Sequence, residues 1–362
     1  AISFSSSNLI NKYLNLNNNN HQSLINKVKK KYNYLKIKTL IESLKKLKVL
    51  VVGEVIIDEY VFCEALGKSG KEPMLVLRDL RREEYLGGSA AISRHISDFC
   101  KKVSLYGMIG DQDNYENKIK NDLPRNISFN YLKKKNSPTI VKKRFLDNIG
   151  NKKVLGVYKI NDEILAQSDE KKFNKYLQSN LNKFDLVIVS DYGHGFISNR
   201  NAKLICQKSK SVALNAQVNA ANIGYHSMRK YNNIDCVIIN ETEIRHELRD
   251  KNEKIEDLMK KLSKERKIKN LIVTRGKKGS IIYNKTENKF NYSEALANND
   301  VDKIGAGDAM LALSAMCIKL NLDKNLSLLL GSLAAAQSVE TIGNKQKVSK
   351  IKILKSLENI IK

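Results

Sequence analysis

"KVLVVGEVIIDEY" (residues 48–60) opens with a run of β-branched and aliphatic residues, pauses at Gly53 and closes on the carboxylates Asp58 and Glu59. A continuous apolar run of this length with no polar alternation is the signature of a strand buried on both faces, as in a parallel sheet. Similar runs follow at 103–110 (VSLYGMIG), 184–193 (FDLVIVSDYG), 211–217 (SVALNAQ), 234–240 (IDCVIIN), 270–276 (NLIVTRG) and 279–284 (GSIIYN). Helical patterns such as AAISRHISDFC (90–100) and IEDLMKKLSKERK (255–267) separate most of them. Strands alternating with helices predict an α/β fold with a doubly wound, mainly parallel sheet flanked by helices. In such a sheet ligands sit beyond the carboxyl ends of the strands. The polar motifs Asp58, SDYGHG, NAQVN, NETE and TRGKKG all fall at those ends. Two stretches, 59–88 and 139–161, read as strands and turns with no helix between, and predict a small β-sheet standing off the main one, either a lid over the active face or a plain β extension.

The chain's 362 residues suffice for a large core, and 42% hydrophobic residues suit a water-soluble globular protein. The longest apolar stretches, such as LSLLLGSLAAA (326–336), are too short to span a bilayer, so no membrane association is expected. Five scattered cysteines with no C-x-x-C pair argue against a disulfide framework or a zinc site and for a reducing, cytoplasmic setting. The net charge of +26 comes overwhelmingly from lysines spread along the whole chain. That distribution reads as a solvated basic surface, with no dedicated nucleic-acid face. Residues 1–46, with NLNNNN (15–20) followed by a basic amphipathic stretch, read as an N-terminal arm of linker and docking helix outside the pocket. Its removal is expected to leave activity unchanged. The catalytic domain then runs over 47–362, with lid segments at about 59–86 and 137–161.

"DKIGAGDAML" (302–311) carries the chemistry. A Gly-rich turn opening a helix leaves free N–H groups at the positive end of the helix dipole, a natural anion site. A carboxylate at its lip would repel a phosphate unless it had a task. Accepting the proton of an attacking hydroxyl is such a task. Gly305, Ala306 and Gly307 are thus a candidate anion hole and Asp308 a candidate base. Other residues have plain structural readings too. Asp58 suits a turn, Gly87–Gly88 a tight helix entry, and Asn240 with Glu243 a capping box.

Several motifs, in order, resemble the ribokinase-like (PfkB) family of carbohydrate kinases from about residue 47 onward: VVGEVIIDEY, EEYLGGSAAISRHI, NETE, VTRGKKGS and DKIGAGDAML. The resemblance implies a ribokinase-like fold and an ATP- and magnesium-dependent phosphotransferase. It also implies a sugar hydroxyl held by Asp58 with Gly87 and Gly88, and Asn240 and Glu243 near magnesium and the ATP phosphates. The nucleotide would be bordered by Thr274, Gly276 and Gly279, with Asp308 as base. GKSGKEPMLVLR (67–78) and VSDYGHGFIS (189–198) are similar to segments of the branch that phosphorylates heptose phosphate, which adds Asp191 as a substrate-binding candidate and implies a sugar or sugar-phosphate acceptor. A phosphorylated acceptor needs a cation, and Lys68, Lys71, Lys142 and Arg144 in the lid segments are the candidates, Arg144 first. The same resemblance implies a homodimer through the lid. The opening SSSNLINKYL is similar to the tail of a nucleotidyltransferase module joined to kinases of that branch. Three departures stand out: Ile304 replaces the usual Thr, NAQVNAANIGY (215–225) replaces a charged segment, and His194 stands where Lys is common. They favour, as an alternative, a catalytically weak sugar or nucleotide sensor of the same fold. His95, His226 and His246 lack ligand spacing and are expected on surfaces.

Overall fold

The computed structural model describes residues 22–297 and 301–361. The NLNNNN stretch and the 2–14 segment read as a module tail lie outside the described residues. Helices α1 (Gln22–Lys31) and α2 (Tyr34–Ser43) lead into β1 (Val49–Lys68), β2 (Leu75–Gly87), α3 (Gly88–Ile96), β3 (Val103–Gly110), α4 (Tyr115–Asp122), β4 (Ile127–Lys134), β5 (Ile140–Asp147) and β6 (Lys153–Lys159). Then come α5 (Gln167–Asn180), β7 (Leu186–Asp191), α6 (Asn199–Lys208), β8 (Val212–Ala216), β9 (Cys236–Asn240), α7 (Glu241–Leu248), α8 (Ile255–Arg266) and β10 (Asn270–Thr274). The chain closes with β11 (Ser280–Asn284), β12 (Lys289–Ser293), α9 (Ala306–Lys319), α10 (Lys324–Ser338) and α11 (Lys350–Ile361).

The main sheet has the order β12-β11-β10-β9-β8-β7-β1-β3-β4, parallel except for the β11 and β12 edge. The alternation of side chains along each strand sorts them into two cores. Val49, Val51, Leu186, Ile188 and Ile238 face one layer with α3, α9, α10 and α11, while Leu50, Val52, Val187, Val189 and Val237 face the other with α5, α6 and α8. The sheet is therefore covered on both sides, as its unbroken apolar strands require. The chain leaves β1 for β3 on one side and returns to β7 on the other, so a topological switch point lies beside the carboxyl end of β1.

β1 serves two sheets. Residues 49–54 lie between β3 and β7, and residues 56–68 continue into a second sheet between β2 and β5, with β6 beyond β5. β4 and β12, absent from the strands expected from sequence, fill the two edges, where ISFNYLKK and KFNYS carry mixed polar faces.

Residues 22–46, read from sequence as an arm with a docking helix outside the pocket, pack into the domain core itself. Leu24, Ile25 and Val28 on α1, Ile37 and Ile41 on α2, and Leu44 after it are buried in the same core as α9, α10 and α11. The basic stripe of these helices faces out, and its Lys31 pairs with Asp323 at 2.8 Å.

Candidate active site

A cavity of about 960 Å³ runs along the carboxyl ends of the sheet from β1 to β11, at the upper end of the range for single-ligand pockets. Asp58, Gly88, Lys142, Arg144 and Tyr192 line one end, and Asn240, Glu243, Thr274, Gly276 and Gly279 the other. The turn Lys303–Gly307 and Asp308 line it as well.

The turn is built for close approach. Gly305, at φ 87°, lies in the left-handed region, and a Cβ there would run into the Asn344 side chain. Helix α9 begins at the next residue, so its first N–H groups have no partner within the helix; that of Ala306 reaches the Lys303 carbonyl at 3.4 Å. Asp302 anchors this turn. Its Oδ1 accepts from the Ile304 N–H at 3.1 Å and pairs with Lys153 Nζ of β6 at 2.5 Å. Its Oδ2 accepts from the Tyr60 hydroxyl at 2.9 Å and the Gly343 N–H at 3.0 Å. Burial alone would raise the Asp302 pKa, but the Lys153 ammonium and the two N–H donors hold it below the usual carboxylate range.

Asp308 sits in the first turn of α9, and the Tyr192 hydroxyl lies 3.0 and 2.9 Å from its two oxygens. Burial pushes its pKa up to about 7, with the nearby charge of Asp58 adding to the effect and the Tyr192 hydrogen bond and Lys142 opposing it. A carboxylate poised there can take up a proton at neutral pH. Tyr192 is itself fixed, because its N–H and that of His194 donate to the buried carboxylate of Glu54 at 3.0 and 3.2 Å.

At the acceptor end, Asp58 Oδ1 pairs with Arg144 at 2.7 Å, and the Asn344 amide reaches Asp58 Oδ2 at 3.4 Å. Gly87 lies outside the cavity lining. A Cβ there would strike the Asp58 carboxylate, so this glycine leaves room for Asp58 rather than touching a ligand. Gly88, at φ 59°, lies against the Glu54 carbonyl and lines the cavity.

Other expectations are corrected. Asp191 does not line the cavity. It is buried behind it, with Lys230 Nζ at 2.6 Å and the Tyr231 hydroxyl at 2.7 Å, and these partners with His226 keep its pKa low against the pull of burial. Its neighbour Tyr192 is the cavity residue, a consequence of strand alternation at the end of β7. Lys68 and Lys71 are exposed and do not line the cavity. His194 is buried, with Nδ1 2.6 Å from Asp162 Oδ1. His95 is buried as well, accepts from the Val348 N–H at 3.1 Å, and has its pKa driven to about 3 by burial. His226 is half-buried with Nε2 3.2 Å from the Asp191 carbonyl, and of the three only His246 is exposed as expected.

At the far end the capping box is real. Asn240 Oδ1 accepts from the Glu243 N–H at 2.8 Å, and Glu243 Oε2 accepts from the Asn240 N–H at 2.7 Å. Glu243 Oε1 also accepts from Val218 N–H at 3.3 Å, and burial raises its pKa to about 7. Both side chains still line the cavity, so the two readings coexist at these residues. Among the described residues no group of three or more His, Cys, Asp or Glu side chains could hold a metal ion. Tyr192, Asn344 and Lys303 line the cavity and were not singled out from sequence. For Tyr192 the signal was present, since it follows Asp191 in SDYGHG.

The pattern of pfkB family carbohydrate kinases matches residues 46–351. The chain belongs to the pfkB carbohydrate kinase family. Curated relatives of this kinase include the bifunctional protein HldE of Campylobacter jejuni, 25% identical over 312 residues, covering 83% of this chain and 63% of the relative. The bifunctional protein HldE of Koribacter versatilis is 26% identical over 301 residues, covering 82% and 60%. The kinase thus spans under two thirds of those relatives' length. Its fold is shared with Arabidopsis thaliana ribokinase complexed with ribose and ATP, at a TM-score of 0.64 and 20% identity over 86% of this chain and 99% of that one. It is shared also with Escherichia coli phosphofructokinase-2 in complex with fructose-6-phosphate, at 0.65 and 12% over 87% and 99%. Among the described residues no helix is long and apolar enough to cross a membrane.

Proposed function

We propose that this pfkB kinase transfers the γ-phosphoryl group of ATP to a hydroxyl of a sugar that already carries a phosphate, a heptose or hexose phosphate. The observation that carries this reading is the convergence in one cavity of Asp308, the glycine turn 305–307 at the start of α9 and the Asp58–Arg144 pair. Asp58 would orient the acceptor hydroxyls and Asp308 would take the proton as the oxygen adds to phosphorus. The N–H groups of the turn would meet the charge that develops on the phosphoryl oxygens. ATP would lie toward Asn240, Thr274, Gly276 and Gly279, which line the end of the cavity away from Asp58 and match the family's nucleotide motifs. The HldE relatives and the GKSGKEPMLVLR and VSDYGHGFIS segments support the heptose-phosphate branch.

Magnesium fits in one manner only. Asn240 and Glu243 already hold each other and Val218, so they suit an ion that arrives on phosphates and keeps its waters, the usual habit of Mg²⁺. When bound, such an ion neutralises phosphate charge. Glu243 would accept hydrogen bonds from its waters with the lone pairs left over.

An ADP-release screen over sugars and sugar phosphates tests the reading. The phosphorylated acceptor is expected to show the higher kcat/KM, and an equal or better free sugar would remove the sugar-phosphate assignment. Arg144→Ala is expected to raise the acceptor KM about 10–100-fold, because a charge-assisted contact is lost, and to leave the ATP KM within about threefold. A matching rise in both constants would place Arg144 outside the acceptor site.

The second sheet carries exposed Leu66, Leu75, Leu80, Leu155 and Val157. These support a homodimer through this sheet, in which it acts as a lid over the cavity of its own protomer, since an apolar surface of this kind is seldom left to water. Sedimentation of the full chain is expected to give a dimer, and Leu80→Glu with Leu155→Glu a monomer. A monomeric parent protein would end the proposal.

A further inference from the structure

Among the described residues the cavity is lined by one buried ammonium group that has no counter-ion. Lys142 on β5 is 6% exposed and lines the cavity. Among the described residues its Nζ has no carboxylate within ion-pair distance and no hydrogen-bond acceptor. Instead it lies over two aromatic faces, 5.0 Å from the Tyr192 ring centre and 5.6 Å from that of Tyr158. Cation–π contact gives back only part of what a buried ammonium loses in hydration. Its neighbour Arg144 is different, being fixed to Asp58 at 2.7 Å. An uncompensated cation facing a cavity is a group awaiting an anion.

Position decides which anion. The ring under Lys142 belongs to Tyr192, whose hydroxyl holds both oxygens of Asp308. On β5, Lys142 is the strand partner of Asp58. The ammonium is therefore flanked by the residue read as orienting the acceptor and the residue read as its base, which is where the acceptor oxygen meets phosphorus.

Resting on the kinase reading above, we propose that Lys142 is a catalytic residue that contacts the phosphoryl group in flight. An acceptor oxygen lone pair forms the new O–P bond. The bond from the γ-phosphorus to the β,γ-bridging oxygen breaks, and its electron pair leaves with ADP. The hydroxyl proton goes to Asp308. Lys142 keeps its protons and donates hydrogen bonds to the non-bridging oxygens, whose charge is then matched in a site that excludes water. Burial lowers the Lys142 pKa, and an arriving phosphoryl group counters that shift as the nearby carboxylates Asp58 and Asp308 already do.

Lys142→Met and Lys142→Arg in the full chain test this, against the parent protein, with a phosphorylated and an unphosphorylated sugar. For Lys142→Met, kcat is expected to fall about 10²–10³-fold with both acceptors. The KM values for acceptor and ATP should stay within about threefold. Lys142→Arg should recover part of kcat. Binding of ADP with aluminium fluoride and acceptor, a mimic of the transferring phosphoryl group, should weaken far more than binding of ADP alone. The urea midpoint of the ligand-free Lys142→Met protein should be equal or higher, because an unpaired buried charge is gone, whereas a structural lysine would lower it. A loss confined to the KM of the phosphorylated acceptor would assign Lys142 to the acceptor's own phosphate and overturn the proposal. So would an unchanged kcat or a lowered midpoint. A parent protein that turns over no acceptor would bring down the kinase reading and this proposal with it, and that outcome is visible before any variant is made.

Discussion

Asp308→Asn is expected to lower kcat by about 10²–10⁴-fold, the usual cost of removing a general base, while ATP binding persists. The amide keeps the shape and can still meet the Tyr192 hydroxyl, but it cannot accept the acceptor's proton. The same change is expected to stabilise the protein at neutral pH. Burial raises the Asp308 pKa from the ordinary 3.8 to about 7, so between those values the folded state holds a proton that the unfolded state has released. More protons on the folded side mean that stability falls as pH rises through this window, by about 1.4 kcal/mol per unit at most. Asparagine removes that dependence. In the parent protein kcat should rise with pH through about 7 as the carboxylate forms. Chemical denaturation at pH 5 and pH 8 checks the stability claim, and a variant less stable than the parent at pH 8 would refute it. A variant with parent turnover would remove Asp308 from the mechanism.

Deleting residues 1–46 is expected to destroy the fold, against the expectation drawn from composition alone. The deletion removes Leu24, Ile25, Val28, Ile37, Ile41 and Leu44 from the core and uncovers their neighbours on α10 and α11. At about 1.5–3 kcal/mol for each fully buried aliphatic side chain, the loss is on the order of 10 kcal/mol, comparable with the whole stability of a typical domain. The ion pairs Lys31–Asp323 and Glu42–Lys350 add little, being partly exposed. Ile37→Ala alone should cost about 2–5 kcal/mol. A truncated chain that stays soluble with the parent's melting temperature would show that α1 and α2 are dispensable.

These cases show what was legible in the sequence. The parallel strands were readable because burial on both faces forces unbroken apolar runs, and 103–110 and 236–240 coincide with or fall within the expected segments. The small sheet was readable because 59–88 and 139–161 hold strand-forming residues without a helical period. The amphipathic character of α1 and α2 was legible, but lysines, whose charges dominate composition, hid how deeply their apolar stripe packs. At the site, glycine turns and strand-end carboxylates announce themselves, because few other roles need them there. Asp191 and Tyr192 were confused because one residue's shift along a strand exchanges the interior for the cavity. Lys142 and Lys68 could not be told apart, since partnership across a sheet depends on register that no local pattern carries. His95 and His194 needed tertiary burial to be read as interior groups.

The double service of β1 has a consequence for how the protein is made. β1 is among the first strands to leave the ribosome, yet it cannot complete its pairing until β7 exists, and the Lys48 to Asp185 contact beside that pairing spans 137 positions. At about 5–20 residues per second, translation leaves that edge waiting roughly 7–30 seconds. During that interval the apolar segment 49–53 of β1 has no partner on one side. Refolding from denaturant, where all partners are present at once, should therefore be limited by slow long-range parallel pairing. Synthesis in the cell should be the step most dependent on chaperones. The strand that shapes the cavity is also the strand that leaves the nascent chain most open to aggregation.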